Sequence, residues 1–167
     1  AQHIDVFEPG SHTGHVLPET EAHTGAVGSL LNDSERQLDL KEIEAAVQRC
    51  QETNLTSIVC ADTPEKTVQV ALFKPDIVAI EPPELIGTGI PVSQAQPEIV
   101  ENTVGMVREQ DSEILILCGA GISTGDDVAA ALTLGTQGVL LASGVVKAKD
   151  PAQVLIDLVE GVKSLDR

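Results

Sequence analysis

Glu81-Pro82-Pro83-Glu84-Leu85-Ile86-Gly87-Thr88-Gly89 runs straight on from Asp76-Ile77-Val78-Ala79-Ile80. An apolar β-branched run of strand type thus ends in a carboxylate, two prolines, a short apolar stretch and Gly-x-Gly. Proline fixes φ and stiffens one hinge. Glycine frees the other and bares backbone N–H groups to a ligand. The pattern is that of a loop closing over a site, with an acid–base carboxylate at its root.

Outward from this segment, strand and helix patterns alternate strictly. Strands are predicted at Gln2–Val6, Ala26–Leu31, Thr56–Cys60, Asp76–Ile80, Ile114–Leu117 and Gly138–Leu141. Helices are predicted at Leu40–Thr53, Pro64–Phe73, Pro97–Gln110, Asp126–Leu134 and Pro151–Leu165. Pro64 after Thr63 and Pro151 after Asp150 follow the pattern of a capping residue with proline at the first helical position. Thr124-Gly125-Asp126-Asp127 sets acids in a first turn, where the helix dipole favours them. In Leu40–Thr53, apolar residues at 40, 43, 46, 47 and 50 make one core-facing stripe. Strands joined by such helices form a parallel sheet. Residues of chemical interest cluster just after strand ends, as in a barrel. An eight-unit barrel of roughly 250 residues allots about 30 to each unit. The chain therefore reads as one partial α/β domain over residues 1–167. It supplies about six βα units, strands three to eight, of a (β/α)₈ TIM barrel whose first two units are absent.

Composition fits this reading. A 167-residue chain that is 42% hydrophobic has a core to bury, and with Phe7 and Phe73 as its only aromatics that core is aliphatic. A net charge of −16 repels nucleic acid and anionic membrane. Its scattered acids read as a solvated surface suited to high salt. No stretch has the length and apolarity of a membrane span, and no signal peptide pattern opens the sequence. A cytoplasmic location is the expectation. Cys50, Cys60 and Cys118 lack metal-type spacing and read as buried thiols.

Several segments together carry a resemblance. Beyond the lid run they are Ser11-His12-Thr13-Gly14-His15, Leu30-Leu31-Asn32-Asp33-Ser34-Glu35-Arg36, Gly119-Ala120-Gly121-Ile122-Ser123-Thr124-Gly125 and Gly138-Val139-Leu140-Leu141-Ala142-Ser143-Gly144. In order and spacing they resemble the triosephosphate isomerases, especially their short archaeal form, over essentially the whole chain. The resemblance implies that Glu81 is the base that shuttles a proton between adjacent carbons of a triose phosphate. Ile86 and Gly87 would close over the substrate. Backbone at Gly121, Ser123, Ala142, Ser143 and Gly144 would cradle its phosphate, as two glycine turns at the last strands of a barrel suit an anion. It also implies glycolysis and gluconeogenesis as the setting, no cofactor, and a homotetramer or homodimer in which Thr13 reaches toward a neighbouring subunit. His3, His12, His15 and His23 then read as interface residues rather than metal ligands, and no metal is expected.

Two departures stand out. The family's neutral histidine electrophile belongs where this chain has Asp33, which donates a hydrogen bond only in its protonated form. The first-strand Asn-x-Lys of the family has no counterpart here. Both predict impaired turnover for this chain alone. Two alternatives remain open: a non-catalytic or regulatory barrel subunit, which Asp33 favours, and another phosphate-binding barrel enzyme. An aldolase would want a Schiff-base lysine at a strand end, and neither Lys74 nor Lys147 is so placed.

Overall fold

A computed structural model of the chain describes residues 1–82 and 90–166, so Ile86 and Gly87, expected to form a lid, lie outside the described residues. The elements in chain order are α1 (Pro18–His23), β1 (Gly28–Leu31), α2 (Leu40–Glu52), β2 (Thr56–Ala61), α3 (Pro64–Ala71), β3 (Ile77–Ile80), α4 (Val92–Ala95), α5 (Pro97–Gln110), β4 (Leu115–Cys118), α6 (Gly125–Thr133), β5 (Gly138–Val139), α7 (Ser143–Val146) and α8 (Pro151–Lys163). A 3₁₀ turn, Ser164–Asp166, follows α8.

The helices begin where their side chains can absorb first-turn amides. Asp39 accepts from the Glu42 amide while Glu42 reaches back to the Asp39 amide, a reciprocal cap at the start of α2. Thr63 caps α3, with Pro64 at its first position, and Asp150 and Pro151 repeat that arrangement in α8.

All strand pairs are parallel, in the order β1-β2-β3-β4-β5. Leu31, Val59, Val78 and Ile116 share one register row. All four are buried, in one cluster with Ile43, Val47, Val70, Val100 and Val107 of the covering helices. The neighbouring row Leu30, Ile58, Ile77 and Leu115 projects to the other face. There Leu115 is 47% exposed. An aliphatic sheet interior is present as expected; among the described residues the five strands form an open row whose other face is closed at Cys60 and Ala79 and open at Leu115.

Two predicted strands differ. Gln2–Val6 is not a strand. Ala1 bonds β1 through Gly28 and Leu30, but the chain then turns to pair Asp5 with Val16 instead. Ile4 still enters the core at 1% exposure. The last strand stops at Val139 rather than Leu141, with one more bond from the Leu140 amide to the Cys118 carbonyl. The sheet thus has five strands where six were expected. Helices α1, α4 and α7, at 6, 4 and 4 residues, were too short for their periodicity to show.

Candidate active site

Every residue singled out for chemistry and described by the structure lies beyond the carboxyl end of a strand. Glu81 is the first residue after β3. Its amide donates to the Ala61 carbonyl at 2.8 Å, and the Gly119 amide donates to the Ile80 carbonyl at 2.9 Å. The ladder thus continues one step past the strands on either side and fixes the backbone beneath this carboxylate. The side chain lies against Gly119, where a Cβ would stand 2.4 Å from Glu81 Cγ and 2.7 Å from Oε1. Gly119 is therefore the space into which the acid fits.

Burial raises the Glu81 carboxyl above its ordinary value. The Cys60 thiol, donating a hydrogen bond to it, opposes that shift, and the charge of Asp33 adds to it. Burial drives the Cys60 thiol far above the usual thiol range, with the Glu81 charge next in importance. Ligand atoms of Asp33, Cys60 and Glu81 all lie within 4.8 Å of one another. A metal binds the thiolate, so one placed here would displace the hydrogen bond that the Cys60 thiol donates to Glu81. A cavity of about 10 Å³, lined by Asn32, Ser34, Cys60, Asp62 and Glu81 among others, adjoins it. That is room for about one water molecule.

Asn32 sets the position of Asp33. It takes left-handed backbone at φ 58°, which asparagine tolerates better than most residues. Its buried side chain donates to the Cys60 carbonyl at 2.7 Å and accepts from the Leu38 amide at 2.8 Å. The end of β1 is thereby tied to β2 and to the approach to α2. Asp33 then forms a turn, its carboxylate accepting from the Glu35 amide and its carbonyl from the Arg36 amide.

The two glycine turns are in contact. A Cβ at Gly144 would lie 2.9 Å from the Ile122 carbonyl oxygen and 3.3 Å from Ser123 Cα. Ala120 and Gly121 both have left-handed backbone, at φ 65° and 74°. At Gly121 a Cβ would fall 1.9 Å from the Ile90 carbonyl oxygen, so the segment beginning at Ile90 presses directly on this turn. Ser143 and Gly144 open α7, where first-turn amides have no intrahelical acceptor. Ala142 caps that helix, its carbonyl accepting from Val145 and Val146. The Ser123 amide, expected to face an anion, donates instead to Asp127 Oδ2 at 3.0 Å, beside the Thr124 amide at 2.9 Å. The reason is the cap of α6: Thr124 and Asp127 form a reciprocal pair, and the carboxylate is within reach of both amides.

Cys60 and Asn32 are site residues that sequence reasoning left without a role, while Gly119 was read only as a turn glycine and Asp127 only as a first-turn acid. Asp127 alone carried a legible signal, the Thr124-x-x-Asp127 spacing of a reciprocal cap. The histidines gather elsewhere. His3 and His15 face Asp5 at 3.1 and 3.3 Å, joined by Arg36 at 3.2 Å, and His12 stacks on Phe7. All three cysteines are buried and unbridged. Among the described residues no helix is long and apolar enough to cross a membrane.

Known proteins resemble this chain throughout. The family described as triosephosphate isomerase matches residues 1–162. A triosephosphate isomerase of Methanobrevibacter smithii is 55% identical over 159 residues, covering 95% of this chain and 72% of its own length. Those of Methanobacterium bryantii and Methanocaldococcus jannaschii are each 52% identical, over 97% and 96% of this chain and 72% and 73% of their own lengths.

Proposed function

The chain belongs to the triosephosphate isomerase family, and from that premise we propose that it interconverts dihydroxyacetone phosphate and glyceraldehyde 3-phosphate, with Glu81 as the base. The observation that carries this is the seat of Glu81: half-buried, raised in basicity, and packed on the glycine that begins the first of two touching turns. Triosephosphate isomerases use a glutamate base with a neutral histidine electrophile under a closing loop. Here Glu81 removes a proton from one carbon, an enediolate forms, and the proton returns to the neighbouring carbon. Backbone amides at Gly121 and Ala142–Gly144 hold the phosphate by their dipoles, and Ser123 shapes the first turn through its bond to Asp127. Ile86 and Gly87 belong to the lid that excludes water while the enediolate exists.

Asp33 occupies the electrophile position. Ionised, it opposes the charge that builds on the substrate oxygen, so we assign this chain a weakened turnover. Loss of a positioned donor lowers rates by about 10²–10⁴. Asp33 also favours the second reading, a non-catalytic subunit that keeps the fold. The decisive experiment is titration with 2-phosphoglycolate, followed by isomerase assays of wild type, Glu81→Gln and Asp33→His. Saturable binding, loss of turnover with Glu81→Gln and a gain with Asp33→His are expected. No binding, or equal turnover in all three, overturns the proposal. The same reading carries assembly as a homotetramer or homodimer and a cytoplasmic location.

A further inference from the structure

Resting on the isomerase reading, we propose that Gln94 is a positioning residue for the phosphate cradle, acting through Asp127 on the amides of Ser123 and Thr124. Asp127 as a residue is 4% exposed, and a buried carboxylate must have its oxygens satisfied. Oδ2 receives the amides of Ser123 and Thr124 and the Ser123 hydroxyl, at 3.0, 2.9 and 3.3 Å. Oδ1 receives Gln94 Nε2 at 2.7 Å. Among the described residues no lysine or arginine pairs with Asp127. Gln94 is thus the donor that fixes the carboxylate's second oxygen, and with it the plane in which the first gathers the loop amides.

The neighbours of Gln94 show why this bond bears on the site. It stands in α4. Ile90 and Pro91 press on Gly121, and Ser93 is 6% exposed beside Cys118 at the end of β4. The segment 90–95 and the turn 119–124 therefore pack as one block, whose polar clasp is Gln94–Asp127. With the Ser123 and Thr124 amides held by Asp127, the turn keeps the shape in which its remaining groups face a dianionic phosphate. A neutral donor behind the carboxylate holds it in place without adding a charge. The effect of Gln94 falls on phosphate affinity, not on proton transfer at Glu81.

The test compares wild type with Gln94→Glu, which sets a carboxylate against Asp127, and Gln94→Lys, which keeps a donor. In Gln94→Glu, KM and the Kd of 2-phosphoglycolate rise about tenfold while kcat stays within about twofold. Gln94→Lys binds the analogue at least as tightly as wild type. Amide hydrogen exchange at Ser123 and Thr124, read without ligand, quickens in Gln94→Glu and not in Gln94→Lys. The inference is overturned if Gln94→Glu leaves Kd and exchange unchanged, if Gln94→Lys fails as Gln94→Glu does, or if kcat falls in step with kcat/KM. A wild type that binds no 2-phosphoglycolate overturns the isomerase reading instead, and the exchange comparison still decides the role of Gln94.

Discussion

Gly119→Ala tests the seat of the base. The new Cβ would lie 2.4 Å from Glu81 Cγ, 2.7 Å from Oε1 and 3.0 Å from Cδ. Carbon atoms in contact rest at about 3.5–4.0 Å, so the carboxymethyl end must withdraw by on the order of 1 Å. Gly119 has no left-handed φ, so alanine meets no backbone strain and the perturbation is the clash alone. A misplacement of about 1 Å at a reacting group lowers rates on the order of 10²-fold. Overpacking by one methyl costs about 1–3 kcal/mol of stability, toward the low end here because the obstacle is a side chain that can rotate. The assay is kcat/KM together with urea unfolding, repeated in a Glu81→Ala background. There the clash has no partner, so the stability cost of Gly119→Ala should shrink by on the order of 1 kcal/mol. An equal cost in both backgrounds, or undiminished turnover in Gly119→Ala, would refute the packing argument.

Three further outcomes follow from the same geometry. Burial raises Glu81 in the folded state above its ordinary 4.5, so the stability it contributes is complete below about pH 4.5 and is lost as pH rises through the folded value. Glu81→Gln is therefore more stable than wild type at pH 7, and thermal melts should show that gain vanishing as pH falls below the ordinary 4.5. Asn32→Ala removes two side-chain hydrogen bonds and adds left-handed strain, which chemical denaturation should register as a loss of about 2–4 kcal/mol. Burial would raise Asp5, but the Val16 amide and then the His3 and His15 rings outweigh it and hold the carboxyl at about 2. Its contribution is present above the ordinary 3.8 and lost as pH falls toward about 2. Asp5→Asn should weaken the fold at neutral pH and flatten the acid limb of its stability profile.

Much of the fold was legible because it rests on local chemistry. Pro97–Gln110 was bounded as observed, by proline at its start and the end of its apolar stripe at Val107. Thr56–Cys60 and Asp76–Ile80 were legible as short runs rich in β-branched residues. Gln2–Val6 carries a strand pattern equal to theirs, but pairing is a property of two segments, and Asp5 finds a nearer partner in Val16. In the site, Glu81 and Asp33 could be picked out because a carboxylate at a strand end has a recognisable setting. The donor from Cys60 and the bond from Gln94 to Asp127 join residues 21 and 33 positions apart. Neither leaves a mark in either local stretch.

The charge at position 33 acts oppositely on the two halves of the proposed reaction. Asp33 raises the basicity of Glu81, which favours proton abstraction as the base approaches the working pH. It also opposes the negative charge gathering on the substrate oxygen. These effects are unequal. Burial is the largest influence on Glu81 and would raise its basicity with a neutral group at position 33, so Asp33 adds little that the fold does not already supply. Two donors beside it are already committed. The Cys60 thiol is already engaged with Glu81, and the Asn32 amide is committed to the backbone at Cys60 and Leu38. Neither can turn toward a substrate oxygen without giving up the contact that positions the base or the turn carrying Asp33. Position 33 is therefore where one substitution to a neutral donor should raise turnover while leaving the seat of Glu81 intact.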